Sequence, residues 1–321
     1  METFPPWLHS GIVLATFFAI AIGAKYVVDS AAALAQRANV SELVVGLTIV
    51  ALGTSAPEFG VTLVAAFEGR SSISVGNIVG SNIFNLGFIL GGAALVRAIP
   101  TSIRIVWRAA IVLVGATVVL FLLVGIDLEL GVLDGALLFL LLLAYLRYIW
   151  VDRMNGAPSD HEGEVTSSVF KSAPWKEGAL LAVGLVTIGV ASHFLIGSAS
   201  ALARSFGVSE WTIAVTIVAA GTSVPEFATT LAGVVRGRTA ISAGTVIGSD
   251  IFNLLGVLGI AGLLHPMTLA PAARTSLLAL TGMVFIVFVM MRTNWRLSRT
   301  EGLILILLAA FRWALDFATR V

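Results

Sequence analysis

Cysteine is absent from the 321 residues of the chain, and charged residues make up only 12% of it. Without cysteine, neither a disulfide framework nor a thiolate metal site can form. The net charge of +1 gives no basic surface for nucleic acid, so we infer no nucleic-acid partner. Soluble domains carry about 25% charged residues. The low charge and the mean hydropathy of +1.01 therefore indicate a membrane protein.

Apolar runs long enough to cross a bilayer recur along the whole chain. About 20 helical residues, rising roughly 1.5 Å each, span the hydrocarbon core. We expect the first run to be a retained helix, because residues 1–10 lack the basic stretch of a signal peptide. The sequence predicts an all-α polytopic membrane protein with about ten transmembrane helices. The predicted spans are 11–36, 42–67, 73–95, 102–124, 127–149, 177–203, 210–235, 241–264, 274–291 and 301–317.

One long polar segment, residues 150–176, separates five predicted spans from five others. We interpret the chain as a first five-helix half (1–149), a linker (150–176) and a second five-helix half (177–321). The linker contains no motif, and its composition is typical of a flexible connection.

The two halves contain an internal repeat. Residues 41–91 align without a gap on 209–259 with 27 identities in 51 positions, and both copies contain GTSxPEF and GSxIFNL. Such a register is the signature of a duplication. Because an odd number of spans separates equivalent points, the second copy crosses the membrane in the opposite direction. Inverted repeats of this kind build secondary transporters, whose ion sites lie where the repeats meet.

Basic residues are distributed unequally between the two sides of the predicted membrane. Loops and span ends on the linker side hold 13 Lys and Arg residues, against five on the other side. By the positive-inside rule, the linker is cytoplasmic and both termini lie outside the cell membrane. The five basic residues on the side opposite the linker are Arg70, Arg204, Arg274, Arg312 and Arg320.

Glu58 and Glu226 lie deep inside predicted spans, where an ionised acid costs roughly 2.5–3.5 kcal/mol. No Lys or Arg stands three or four residues away in the same helix, so a bound cation, a proton or water must compensate the charge. The neighbouring Pro57 and Pro225 lack an N–H and clash with the preceding turn. We therefore expect each helix to open there and to free backbone carbonyls around Gly53 and Thr54 in the first copy and around Gly221 and Thr222 in the second.

Polar oxygens cluster around both glutamates. The hydroxyls of the two GTSxPEF motifs and the side chains spaced i, i+4 in the two GSxIFN motifs share helix faces. Small residues at Gly76, Gly80, Gly244 and Gly248 allow close helix approach. The resulting all-oxygen shell suits hard cations such as Ca²⁺ and Na⁺. Its side chains are Thr54, Ser55, Glu58, Ser81, Asn85, Thr222, Ser223, Glu226, Ser249 and Asn253.

Asp250 is a third acid beside this cluster. On an ideal helix, residues 249, 250 and 253 stand at about 0°, 100° and 40°, so Asp250 either borders the same cavity or turns to a neighbouring helix. If it borders the cavity, Asp250→Asn changes the pH or Na⁺ dependence of transport without eliminating Ca²⁺ binding.

In the first span, Lys25 and Asp29 are spaced i, i+4, and we interpret them as a local ion pair.

The paired motifs GTSAPEF…GNIVGSNIFN and GTSVPEF…GTVIGSDIFN closely resemble the two alpha-repeats of the calcium/cation antiporter superfamily, in particular its prokaryotic sodium/calcium-exchanger-like members. The resemblance covers nearly the whole chain. It implies alternating-access exchange of Ca²⁺ for Na⁺ or H⁺, with Glu58 and Glu226 as central Ca²⁺ ligands. It also implies that the hydroxyl and amide side chains above complete the cation sites, that Ala51 and Ala219 contribute backbone carbonyls, and that the first and sixth spans form a sliding gate.

Two positions depart from the pattern of the family. Many sodium-coupled relatives carry Asp at one of the positions equivalent to Asn85 and Asn253, whereas both are Asn in this chain. Asp250 stands where the family has Asn. The number of carboxylates at the matched positions is therefore two, and the driver ion is left open.

A Ca²⁺/Na⁺ antiporter is the leading prediction, and a Ca²⁺/H⁺ antiporter is its nearest alternative. A cation channel would use the same oxygens without depending on a counter-ion. An intramembrane hydrolase would need a nucleophile or a metal-held water, and the sequence contains neither a His-metal set nor a G-x-S-x-G elbow. We expect no enzyme activity, no cofactor, and no partners beyond the lipid bilayer and inorganic cations, with no obligate protein partner.

Overall fold

The structure, a computed structural model, describes residues 4–38, 40–101, 109–154, 174–206, 219–293 and 295–318. Helices account for nearly all of these residues, and four two-residue strands lie in the loops between helices. The helices are α1 Pro6–Arg37, α2 Glu42–Thr54, α3 Ala56–Phe67, α4 Ser71–Val96, α5 Ile111–Val124, α6 Val132–Met154, α7 Pro174–Ser205, α8 Ala219–Thr222, α9 Val224–Val235, α10 Thr239–Leu264, α11 Ala272–Arg292 and α12 Arg299–Ala318. The strands are β1 Ile99–Pro100, β2 Glu129–Leu130, β3 Met267–Thr268 and β4 Arg296–Leu297.

Every predicted span overlaps a helix, and the all-α membrane architecture is confirmed. Within the described ranges, six helices are long and apolar enough to cross a membrane, and the bent pair α2–α3 makes a seventh. Helices α5 and α9 are apolar but shorter, and residues 102–108 and 207–218 lie outside the described ranges. Helix α12 is about as long as α11 but carries charged residues at both ends.

The predicted boundaries of some spans need correction. Helix α1 begins at Pro6, and α6 begins only at Val132 because Glu129 and Leu130 form β2. Helix α6 continues to Met154 and α7 begins at Pro174, so both ends of the predicted linker are helical. Residues 155–173 lie outside the described residues, and the division of the chain at 150–176 stays a prediction.

The helices break at the position that the proline motif predicts. Helices α2 and α3 meet at an angle of 47°, and Ser55 between them has φ −77° and ψ 5°. Ser223, between α8 and α9, has φ −90° and ψ 10°. Pro57 and Pro225 stand in the first turn of the helix that follows each break, where the missing N–H needs no acceptor.

Contacts between the halves repeat with two-fold pseudosymmetry. Strand β1 pairs antiparallel with β4, and β2 pairs antiparallel with β3. Gly91 of α4 packs on Gly302 of α12, where a Cβ at Gly91 would lie 2.8 Å from the Gly302 carbonyl oxygen. Gly135 of α6 packs on Gly259 of α10, where a Cβ at Gly135 would lie 2.7 Å from the Gly259 carbonyl oxygen. These two contacts are equivalent under the offset of the repeat, to within one residue, so the duplication extends over both five-helix halves.

Helices α2 and α10 cross in backbone contact at the centre of the molecule. A Cβ at Gly244 would lie 2.8 Å from the Leu43 carbonyl oxygen, and one at Gly248 would lie 2.7 Å from Leu47 Cα. Only glycine fits such an approach, so the prediction for Gly244 and Gly248 is confirmed. A Cβ at Gly76 or Gly80 meets no described residue within 4 Å, and the segment 207–218 lies outside the described residues, so their role stays a prediction.

Helices α1 and α7 form a separate layer against this centre. They cross at Gly23 and Gly184, where a Cβ on either glycine would come within 3.0 Å of the other's carbonyl oxygen. Around the crossing, the small apolar side chains of α1, including Ala24 and Val27, pack against Leu181 and Ile188 of α7. The long helices that begin each half thus lie side by side.

Candidate cation site

The two glutamates of the repeated motif are fully buried where the halves meet. Each carboxylate accepts a hydrogen bond from the serine of the opposite half. Ser223 Oγ donates to Glu58 Oε1 at 3.0 Å, and Ser55 Oγ donates to Glu226 Oε1 at 3.2 Å. The helix breaks at these two serines therefore connect the repeats crosswise.

Hydroxyl groups supply the rest of the immediate surroundings of the carboxylates. Besides Ser223, the hydroxyl of Thr222 lies near Glu58. The hydroxyls of Thr54 and Ser249 lie near Glu226. Among the described residues, neither glutamate forms an ion pair with a basic side chain, so neutral dipoles are the only compensation for their charge.

Several buried oxygens at this site have no hydrogen-bond partner among the described residues. Natively folded proteins leave few buried polar atoms unpaired, because each costs about 1–3 kcal/mol. A concentration of them on both halves marks a place for a ligand that accepts lone pairs. The atoms are Oε2 of Glu58, Oγ of Ser81, Oδ1 of Asn85, Oε2 of Glu226, Oδ2 of Asp250 and Oδ1 of Asn253.

Neutral oxygens must provide most of any coordination shell here. Over the ranges that the structure covers, no three His, Cys, Asp or Glu side chains form a cluster that could hold a metal ion. Asp250 therefore does not complete a three-carboxylate set with Glu58 and Glu226. Hydroxyl and amide oxygens match hard cations that take many oxygen ligands.

The Ala51 carbonyl, which the family resemblance implies as a cation ligand, already accepts hydrogen bonds. It accepts from the Ser55 backbone N–H at 3.0 Å, from Thr54 Oγ1 at 3.2 Å and from Ser249 Oγ at 3.4 Å. The two hydroxyls also lie 3.2 Å from each other. A hydroxyl that donates its proton keeps its lone pairs for a cation, so Thr54 and Ser249 remain available. Ala219 occupies the equivalent position at the start of α8.

Three asparagines and Asp250 form a second polar cluster between α4 and α10. Asn85 Nδ2 donates to Asp250 Oδ1 at 2.9 Å, and Asn253 Nδ2 donates to Asn82 Oδ1 at 3.1 Å. The two bonds are equivalent under the repeat. Both helices widen to i→i+5 turns there, at Asn85–Leu90 and Phe252–Val257, a feature frequent at functional sites.

Sequence reasoning missed Asn82 and Asn77. Asn82 aligns with Asp250 in the two GSxIFN copies, and comparison of those copies position by position would have found it. Asn77 Nδ2 donates to Thr62 Oγ1 at 3.0 Å and to the Glu58 carbonyl oxygen at 3.4 Å. It holds the turn that carries the glutamate, and no signal in the motif indicates this.

The predicted pair Lys25–Asp29 is wrong. Asp29 forms its ion pair with Arg236, at the end of α9, with 3.2 Å between Oδ1 and Nε. Arg238 Nη1 similarly pairs with Glu42 Oε1 at 2.6 Å. Both links join the start of the first half to the second half, so tertiary proximity overrides the local i, i+4 spacing.

A cavity of about 510 Å³ lies between α7 and the two proline breaks. Its walls include Gly53, Pro57 and Pro225 from the central helices and Gly189 and His193 from α7. It reaches from the long outer helix to the backbone beside both glutamates.

Comparison with known proteins agrees with the resemblance of the two motifs. Residues 8–151 and 176–314 match the family model described as sodium/calcium exchanger protein. The chain is 34% identical over 293 residues to the putative antiporter CaxA of Alkalimonas amylolytica, covering 87% of this chain and 89% of that protein. It is 32% identical over 306 residues to the inner membrane protein YrbG of Escherichia coli K12, covering 92% and 91%.

Solved structures give the same result for the fold. The sodium-calcium exchanger NCX_Mj superimposes with a TM-score of 0.84 at 26% identity, covering 97% of this chain and 99% of that chain. By sequence, the chain is also 30% identical over 322 residues to sodium/calcium exchanger MaX1 of Methanosarcina acetivorans, covering 89% of this chain and 91% of that protein. The protein is a multi-pass membrane protein, and the chain belongs to the sodium/calcium exchanger family of the calcium/cation antiporter superfamily.

Proposed function

We propose that the protein is a secondary antiporter that exchanges Ca²⁺ for Na⁺ by alternating access. The observation that carries this proposal is a set of six buried oxygens, drawn from both halves and without partners among the described residues, which includes one oxygen of each glutamate. Ca²⁺ takes six to eight oxygen ligands, and two carboxylates neutralise one divalent ion. The same oxygens suit Na⁺ when Ca²⁺ leaves.

The proposed ligands are the residues that the motifs predicted. Glu58 and Glu226 hold the ion, and the serines now bonded to them turn their lone pairs toward it. Transported Ca²⁺, Na⁺ or H⁺ is substrate, and we propose neither a cofactor nor an enzymatic reaction. The neutral ligands are Thr54, Ser55, Ser81, Asn85, Thr222, Ser223, Ser249 and Asn253, with the carbonyls of Ala51 and Ala219.

The crosswise bonding supports alternating access. Each glutamate depends on hydroxyls of the other half, so a cation that binds both carboxylates couples the halves. Helices α1 and α7 form the outer layer, and the cavity beside Pro57 and Pro225 lies under α7. Movement of this layer across the breaks would expose the site to one side and then to the other.

Radioactive Ca²⁺ uptake into liposomes that contain the purified protein tests the function. We expect uptake when Na⁺ is trapped inside and diluted outside, and only background uptake without a gradient. Protein-free liposomes control for leak. Uptake that is equal with and without gradients would indicate a channel, and no uptake under any gradient would contradict the proposal.

A proton-driven exchanger is the second candidate. The observation that favours it is the pair of neutral residues Asn85 and Asn253 beside buried Asp250, whose Oδ2 has no partner in the described part of the chain. An outward H⁺ gradient in the same liposomes, with Na⁺ absent, separates the two drivers. Uptake driven by H⁺ and not by Na⁺ would replace Na⁺ with H⁺ in the proposal.

We also propose that the protein lies in the cell (inner) membrane with a cytoplasmic linker and both termini outside. The support is the excess of Lys and Arg on the linker side and the similarity to YrbG, a protein described as an inner membrane protein.

Because the chain has no cysteine, single cysteines report this orientation without background. We expect a membrane-impermeant maleimide to label a cysteine placed at residue 3 or at residue 320 in intact cells. A cysteine at position 160 should be labelled only after the cytoplasmic side is opened. The reverse pattern would contradict the orientation and leave the inverted repeat intact.

A further inference from the structure

Asp250 stands at the head of a chain of hydrogen bonds that connects three asparagines. Its carboxylate Oδ1 accepts from Asn85 Nδ2 at 2.9 Å, and its backbone oxygen accepts from Asn82 Nδ2 at 3.1 Å. Asn82 Oδ1 in turn accepts from Asn253 Nδ2 at 3.1 Å. All four residues are fully buried.

The chemistry of the acceptors fixes the direction of every amide in this chain of hydrogen bonds. A carboxylate and a backbone carbonyl accept hydrogen bonds and cannot donate. Asn85 and Asn82 must therefore turn their NH₂ groups toward Asp250. Once the Asn82 NH₂ is committed, its Oδ1 is the acceptor that remains, and Asn253 must turn its own NH₂ toward it.

These bonds use the NH₂ groups of Asn85 and Asn253 and leave the oxygens of both amides free of them. Asn85 and Asn253 each have their Oδ1 buried and without a partner in the described part of the chain. Carbonyl oxygens bind hard cations, whereas an NH₂ group repels them. The direction of the two amides therefore decides whether these residues serve as ligands.

We propose that Asp250 is a positioning residue, which with Asn82 turns the carbonyl oxygens of Asn85 and Asn253 toward the transported cation. This inference rests on the proposed function. It assigns Asp250 a role through Asn85 rather than a direct bond to Ca²⁺, and it gives Asn82 a function that the alignment of the repeats does not.

A substitution at position 250 changes the hydrogen bond to Asn85 and keeps the hydrogen bond to Asn82. The Asp250 side chain acts on Asn85, whereas its backbone oxygen, which every substitution keeps, acts on Asn82. Asparagine at position 250 has both a donor and an acceptor group, so Asn85 is free to turn over. Asp250→Asn therefore impairs the Asn85 ligand and leaves the Asn253 ligand in place.

A double-mutant cycle tests this role. Equilibrium binding of radioactive Ca²⁺ is measured on the purified full chain for wild type, Asp250→Asn, Asn85→Ala and the double mutant. We expect Asp250→Asn to weaken binding about tenfold, the scale of one lost hydrogen bond to a charged group. Asn85→Ala weakens binding at least as much, and adding Asp250→Asn to it has no further effect. Additive losses, or an Asp250→Asn mutant that binds like wild type, would overturn the proposal.

A second double-mutant cycle leaves position 250 unchanged and tests the proposal if the Asp250→Asn mutant does not fold. Asn82→Ala should weaken Ca²⁺ binding in the wild-type background and have no effect in the Asn253→Ala background. Additive losses there would overturn the Asn82 branch. Size-exclusion elution and the melting temperature identify folded variants in both cycles. If wild type shows no saturable Ca²⁺ binding, the proposed function itself fails, whereas wild-type binding with additive cycles contradicts only the positioning role.

Discussion

Glu58→Gln and Glu226→Gln are each expected to abolish gradient-driven Ca²⁺ uptake while leaving the protein folded. Glutamine keeps the shape of the side chain and an oxygen that accepts from Ser223 or Ser55. What it removes is one of the two charges that balance a divalent ion. Loss of one partner in a buried charge interaction costs about 2–5 kcal/mol, so we expect uptake to fall by roughly thirtyfold or more.

Glu129→Gln provides the matched control for these two mutants. It makes the same chemical change at an exposed residue of β2, outside the site, so we expect uptake at the wild-type rate. All three variants are compared by size-exclusion elution before reconstitution. A folded Glu58→Gln or Glu226→Gln mutant that transports near the wild-type rate would remove that residue from the proposed centre.

The repeat made most of the architecture predictable. Two copies of GTSxPEF separated by an odd number of spans require inverted halves, and a proline in the first turn requires a break before it. The structure has both breaks, at Ser55 and Ser223. The glycines of the second repeat copy predicted a close helix crossing, and Gly244 and Gly248 form one against α2.

Contacts between the halves were beyond sequence reasoning. Ser55 bonds to Glu226, 171 positions away, and Ser223 bonds to Glu58, 165 positions away. A repeat indicates that two motifs meet, but it does not say which atom faces which. The motif therefore predicted the composition of the site and not its crosswise connection.

The contacts that the sequence did not predict have the same physical origin. The pairing of Asp29 with Arg236 depends on where α9 ends in space, which the spacing of Lys25 and Asp29 cannot show. The Ala51 carbonyl, which the resemblance implies as a cation ligand, already accepts hydrogen bonds. It is engaged in part because Ser249 of the other half reaches it.

The position of a bound divalent cation would show whether the two halves share one site. Crystals of the wild-type protein with Sr²⁺, an anomalous scatterer with the oxygen preference of Ca²⁺, should show one strong anomalous peak between the carboxylates of Glu58 and Glu226. Hydroxyl or amide oxygens from both halves should complete its shell. The same experiment on Glu226→Gln should show no peak there. A Sr²⁺ ion bound by one half alone, a site away from both glutamates, or an unchanged peak in the mutant would contradict a shared site.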